Sequence, residues 1–198
     1  MKNKIRNNEM DVVFLLDRSG SMGGIEEDTI GGYNSYIESQ KGKNVKVTTA
    51  LFDDKYEILH NREDVDSIKK LTKKDYYVRG CTALLDAIGK TIREMEDKDT
   101  NKVIFIITTD GYENASTKYN KSQIKELISS HKDWKFMYIG ADIDSYSEGR
   151  SLGISDEFIA NYKKTNRGVS KLYRTMSRIC NCLYVDEKVD ENWKNELE

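Results

Sequence analysis

The sequence predicts an α/β fold: a single doubly wound, Rossmann-like and mainly parallel sheet of six strands, one of them antiparallel, with helices on both faces. Two observations carry this prediction. Val12-Val13-Phe14-Leu15-Leu16 and Val103-Ile104-Phe105-Ile106-Ile107 are unbroken apolar runs, the first closed at once by Asp17 and the second, after two threonines, by Asp110. Such runs read as strands buried on both faces, the mark of a parallel sheet. Between and after them, segments with apolar residues at helical spacing alternate with further β-rich runs, as repeated strand-helix units do.

The elements follow in order. Residues 25–40 carry Ile25, Ile30, Tyr33, Tyr36 and Ile37 near helical spacing, despite Gly31 and Gly32, and read as the first crossover helix. Residues 44–52 are β-rich and stop at Asp53-Asp54, and residues 56–59 pair back on them as an antiparallel hairpin. Residues 64–71 have the look of a short helix. Residues 82–96 place Leu84, Leu85, Ile88, Ile92 and Met95 on one helical face, entered from a loop that ends at Thr82. After the second apolar strand, residues 122–131 read as a helix with Ile124, Leu127 and Ile128 inward, and residues 134–140 as the next strand. A short helix at 145–152, a strand around 158–160 and a helix at 169–182 complete the alternation. The length favours one domain, spanning 11–185, between a polar N-terminal segment, 1–10, and a polar C-terminal tail, 186–198, both expected to fray.

Composition excludes several classes. The chain has 198 residues, a formal net charge of -2 and 33% charged residues, so it shows neither the basic footprint of a nucleic-acid binder nor an acidic tail. The first ten residues lack an apolar signal region and no stretch approaches ~18 apolar residues, which leads us to expect a cytoplasmic protein with no membrane and no nucleic-acid partner. Three cysteines, Cys81, Cys180 and Cys182, are an odd number and argue for free thiols. The two histidines, His60 and His131, have no second His or Cys at ligand spacing.

Three loops are expected at one edge of the sheet: Asp17-Arg18-Ser19-Gly20-Ser21, Gly80-Cys81-Thr82 and Thr109-Asp110-Gly111. Ligand sites of open α/β sheets lie beyond the carboxyl ends of the strands, where these loops fall. Two carboxylates and three hydroxyls form a hard oxygen set suited to Mg²⁺ or another hard divalent ion, since softer metals call for thiolate or imidazole. Without a cation, Asp17 and Asp110 would repel at close quarters. Magnesium keeps open or water-filled positions at a site with few charged ligands, and an exogenous carboxylate fits one.

These residues resemble the von Willebrand factor A domain family, whose metal-ion-dependent adhesion site (MIDAS) uses D-x-S-x-S, a Thr and an Asp on three loops. All five positions are matched, by Asp17, Ser19, Ser21, Thr82 and Asp110. The resemblance covers the chain in element order, and Gly80-Cys81-Thr82-Ala83-Leu84-Leu85-Asp86-Ala87 with Thr109-Asp110-Gly111 is similar to intracellular bacterial and phage members. It implies that Ser19, Ser21 and Thr82 supply hydroxyl ligands, that Asp17 and Asp110 bind directly or through water, and that the Glu or Asp of a partner protein completes the shell. The implied cofactor is Mg²⁺, with Mn²⁺ or Ca²⁺ as alternatives. The implied function is a metal-dependent protein-binding module, an adaptor or assembly factor and not an enzyme. The competing reading is a Mg²⁺-dependent phosphotransferase or phosphatase with Asp17 as nucleophile. It is weakened by Ser19, where such enzymes carry a second acid, and by the lack of a G-x-x-x-x-G-K-[ST] loop.

Other residues take plainer readings. Thr82 also suits the N-cap of the following helix. Glu113 and Asn114 read as a solvated rim, and Asp53-Asp54 as a charged hairpin turn. Cys81 reads as a small buried filler, and Cys180 and Cys182 as core residues. Lys163, Lys164, Arg167, Lys171, Arg174 and Arg178 read as a solvated helix face.

Overall fold

Strand β1 (Met10–Asp17) is apolar throughout its interior and buried at every position, which places it at the centre of a sheet. In the computed structural model, which describes residues 9–96, 98, 100, 102–190 and 192–197, β1 lies between β2 (Val45–Phe52) and β4 (Val103–Thr109), parallel to both. The hairpin strand β3 (Tyr56–Asp64) closes one edge antiparallel to β2, and β5 (Lys135–Gly140) and β6 (Ile159–Asn161) extend the other in parallel. The order β3-β2-β1-β4-β5-β6 is a six-stranded sheet with one antiparallel strand, as the sequence predicts.

Winding reverses between β1 and β4, because β2 follows β1 to one side while the later strands build to the other. The register pairs Asp17 with Phe52, Leu16 with Thr108, and Thr109 with Gly140, so the carboxyl ends of β1, β2, β4 and β5 share one edge. A crevice at such a switch point is where this architecture binds ligands.

The helices are α1 (Glu26–Gln40), α2 (Leu84–Glu96), α3 (Lys121–Ser130), α4 (Ser145–Ser151) and α5 (Asn166–Tyr184). Acidic Glu26, Glu27 and Asp28 fill the first turn of α1, where the helix dipole favours them. Gly32 sits inside this helix because a Cβ there would come 2.2 Å from the Tyr173 ring of α5, so the glycine is the contact that lets the two helices close. Asn120 and Gln123 cap α3 reciprocally.

Residues 64–71 do not form the expected short helix. β3 runs through Asp64, and a single 3-10 turn, Val65–Ser67, follows, capped by the Asp64 side chain. Val65, Ile68 and Leu71 are all buried, and their spacing of three imitates a helical face while the chain runs along the core in an irregular path. Residues 1–8 of the polar N-terminal segment lie outside the described residues, and Met10, at its end, is buried at the start of β1. Beyond Val185, Trp193 and Leu197 return to the core, and the Trp193 indole donates to the Glu157 carbonyl at 3.1 Å.

Candidate metal centre

β1 delivers Asp17 to the sheet edge fully buried, and both of its carboxylate oxygens are occupied. Oδ1 accepts the Ser19 amide at 2.6 Å, which turns the chain after the strand, and Oδ2 accepts the Thr109 hydroxyl at 2.5 Å, which joins β1 to β4. Burial pushes the Asp17 carboxyl up to about 6, against the hydrogen bonds from Thr109 and Ser19, and the nearby Asp110 charge adds to the rise. The Tyr76 hydroxyl donates to the Asp17 carbonyl at 2.6 Å.

The Ser19 and Ser21 hydroxyls lie 3.0 Å apart. A Cβ placed on Gly111 would stand 2.8 Å from Thr82 Oγ1, 3.1 Å from Ser21 Oγ and 3.7 Å from Ser19 Oγ. Glycine at 111 therefore leaves room for three hydroxyls from two other loops to converge on the backbone beside Asp110. Asp110 is buried, and its Oδ1 has no hydrogen-bond partner. Its Oδ2 lies 2.8 Å from the Lys164 ammonium. The structure thus brings Asp17, Ser19, Ser21, Thr82 and Asp110 to one place, with Ser21 on the exposed side.

The donor set fits a hard divalent cation. It consists of hydroxyl and carboxylate oxygens without thiolate or imidazole, it has a cradle that a side chain at 111 would fill, and it leaves one buried carboxylate oxygen unpartnered.

Residues the sequence left in plainer roles hold this geometry. Asp53, buried at the end of β2, accepts Arg18 Nε at 2.9 Å and Arg79 Nε at 2.7 Å on the same oxygen, while its other oxygen accepts the Lys55 amide. Burial would raise its pKa, but the Arg79, Lys55 and Arg18 donors outweigh that and hold it below the usual carboxylate value. Arg18, between Asp17 and Ser19 in the chain, is fully buried, with Glu57 Oε2 2.9 Å from its Nη2. The Tyr77 ring lies 5.5 Å from the Arg18 guanidinium and 5.4 Å from that of Arg79. Backbone bonds from Arg79 N to Arg18 O and from Gly20 N to Gly80 O complete the junction of the first two loops.

The second and third loops are joined by Glu113 and Asn114, which lie at the rim, Asn114 exposed and Glu113 half-buried, yet hold both loops by hydrogen bonds. Asn114 accepts the Thr82 amide at 2.9 Å and returns its own amide to the Thr82 carbonyl at 3.0 Å. Glu113 accepts the Leu85 amide in the first turn of α2, together with the Ala115 and Ser116 amides, and Ser116 Oγ accepts the Asp86 amide. Those two side chains, not Thr82, meet the free amides at the start of α2. Asp86 answers by accepting the amides of Thr117, Lys118 and Tyr119.

Three further expectations need correction. Asp53 lies in the hairpin turn as expected but is buried there as an ion-pair anchor, because two guanidinium groups approach it from the neighbouring loops, while Asp54 is exposed. Cys81 is exposed and not a buried filler; Cys180 is buried and Cys182 partly so. Lys164 is half-buried at the centre and does not belong to a solvated helix face. The histidines lie elsewhere, His60 against Tyr33 and His131 against Trp134 and Glu96. The nearest sequence signal for Glu113 and Asn114 was their position directly after the Asp110 loop. For Asp53 the signal was its place at the end of the strand next to the first loop; Lys164 carried none of its own.

No protein-family model matches the chain. An uncharacterized protein of Methanocaldococcus jannaschii is 25% identical over 183 residues, covering 89% of this chain and 40% of that protein, so the chain spans well under half the length of this relative. Among solved structures, the vWF domain of the type V pili tip protein Mfa5 from Porphyromonas gingivalis aligns with a TM-score of 0.71 at 11% identity, over 92% of this chain and 98% of that one. Proximal thread matrix protein 1 from the mussel byssus, with a zinc-occupied MIDAS motif, aligns with a TM-score of 0.62 at 15% identity, over 87% of this chain and 46% of that one. These likenesses show the von Willebrand factor A fold.

Proposed function

We propose that this chain is a divalent-metal-dependent protein-binding module, acting as an adaptor or assembly factor. Asp17, Ser19, Ser21, Thr82 and Asp110 would hold the cation, Mg²⁺ in the first instance, with Mn²⁺ and Ca²⁺ as alternatives. When bound, the cation supplies a coordination position that a Glu or Asp from a partner protein completes. The observation that carries this reading is the convergence of the Ser19, Ser21 and Thr82 hydroxyls over Gly111, beside an Asp110 oxygen with no hydrogen-bond partner. The zinc-occupied MIDAS of the byssus protein, on the same fold, supports it.

The chain's own residues suit binding better than phosphoryl transfer. A nucleophilic carboxylate needs a free oxygen exposed to substrate. Asp17 is fully buried, and each of its oxygens accepts a hydrogen bond. Instead, Asp17 orients the Ser19 turn and ties it to Thr109, while Asn114 and Asp53 hold the other loops in register.

Calorimetric titration of Mg²⁺, Mn²⁺ and Zn²⁺ into chelator-treated protein tests the reading, with a Ser19→Ala, Asp110→Ala double variant as comparison. Binding by the native chain and its loss in the variant are expected. Equal binding by both would remove these residues from the site. Hydrolysis of a generic aryl phosphate that disappears in Asp17→Asn would replace the binding module with an enzyme.

A further inference from the structure

The Lys164 ammonium stands inside the proposed centre. It lies 2.8 Å from Asp110 Oδ2 and also donates to the Ser21 carbonyl, so it spans the first and third loops from a position 143 residues away from Ser21. Its side chain is 21% exposed and that of Asp110 2%, so the pair is largely withdrawn from solvent, where charge interactions are weakly screened. Lys163 and Arg167 on either side are exposed, whereas Lys164 is half-buried. Lys164 meets only one of the two carboxylate oxygens, since Asp110 Oδ1 is left without a hydrogen-bond partner. It does not reach Asp17, whose oxygens are taken by Ser19 and Thr109.

We propose that Lys164 is a tethered cation of the metal centre: it holds Asp110 and Ser21 in the metal-free protein, must withdraw for a divalent ion to bind, and so lowers the metal affinity and links occupancy to the start of α5. This rests on the metal-binding reading above. An ammonium is a compact point charge with three donors, and here it holds Oδ2 of the same Asp110 carboxylate whose Oδ1 would meet an incoming ion. Two cations a few ångströms apart in a partly buried site also repel.

The link to α5 follows from where Lys164 sits in the chain. It lies between β6 and Thr165, whose side chain caps α5 by accepting the Gly168 amide. The turn is tight: Thr165 N donates to Lys163 O at 2.7 Å, and a Cβ at Gly168 would come 1.9 Å from that same carbonyl. A stem anchored in so tight a turn moves its ammonium out of the site either by swinging outward or by carrying the turn with it.

The test compares Lys164→Met with the native chain and with Lys163→Met, which removes the same charge from an exposed neighbour. Titration of Mg²⁺ and Mn²⁺ should give Lys164→Met an affinity tighter by about tenfold or more, from loss of the competing charge. Lys163→Met should match the native chain. Metal-free Lys164→Met should melt below metal-free Lys163→Met, because Asp110 loses its counter-ion, and this order should disappear at saturating Mg²⁺. In the native chain, amine labelling read by mass spectrometry should find Lys164 protected in chelator and reactive in saturating Mg²⁺. Metal binding by the Lys164 variant alone would also support the proposal, with the lysine blocking the native site. Equal or weaker affinity in Lys164→Met, with Lys164 labelling indifferent to metal, would overturn the proposal while leaving the metal site intact. Absence of binding in all three proteins would overturn both readings.

Discussion

Asn114 and Thr82 are joined by two hydrogen bonds, the Thr82 amide to the Asn114 side chain at 2.9 Å and the Asn114 amide to the Thr82 carbonyl at 3.0 Å. One residue of the third loop therefore sets the position of a hydroxyl contributed by the second. Outer-shell partners of this kind commonly change metal affinity by ~10–100-fold when removed. Asn114→Ala is expected to weaken Mg²⁺ binding by an amount in that range and to lower stability by about 1–2 kcal/mol. Calorimetry and urea unfolding in chelator measure the two effects separately.

Gly111→Ala should damage binding more selectively. The new methyl group would stand 2.8 Å from Thr82 Oγ1 and 3.1 Å from Ser21 Oγ, so those hydroxyls must part. Metal affinity should fall by about tenfold or more, while the metal-free melting temperature changes little, because the crowded atoms lie at the site and not in the core. A variant that binds as the native chain does would contradict the convergence described above.

Asp53→Ala removes the shared acceptor of Arg18 and Arg79 and leaves a buried guanidinium without its main partner. Breaking a buried pair in this way costs about 3–5 kcal/mol. Adding Arg18→Met should recover part of that loss, since the uncompensated charge goes with it. Urea midpoints of the single and double variants provide the check.

His60 makes stability depend on pH. Burial lowers its pKa from the usual 6.5, against the raising effect of Glu63 and Asp75. The unfolded chain then takes up a proton before the folded one, so neutral His60 contributes fully above about 6.5 and its contribution is lost as pH falls through the folded-state value. Between pH 7.5 and 5.5 the native urea midpoint should fall more steeply than that of His60→Gln. Parallel slopes would remove His60 as the cause.

Metal removal should be visible in the melt. A ligand present at 100 times its dissociation constant stabilises the folded state by about 2.7 kcal/mol, or roughly 5–10 °C for a chain of this size. Chelator should lower the melting temperature of the native protein by that amount and leave the Ser19→Ala, Asp110→Ala variant unmoved.

The sheet was legible because its two central strands are unbroken apolar runs, and burial on both faces demands such runs. The reading of 64–71 failed because Val65, Ile68 and Leu71 carry helical spacing along an irregular path, and periodicity alone does not separate the two. The side chains supporting the site were harder to read. Asp53, Glu113, Asn114 and Lys164 are polar residues in polar stretches, and local sequence does not distinguish a solvated carboxylate from one facing two arginines.

The sequence by itself determined the alternation of strands and helices, the antiparallel hairpin, and the grouping of Asp17, Ser19, Ser21, Thr82 and Asp110 on three loops at one edge. Those features depend on hydrophobic period and chain order, which are local and readable. The tertiary structure alone decided that Asn114 clamps Thr82, that Asp53 gathers Arg18 and Arg79, and that Lys164 reaches Asp110. These contacts join residues 26 to 54 positions apart, and a polar side chain acquires its role only when the fold brings such distant partners within hydrogen-bond reach.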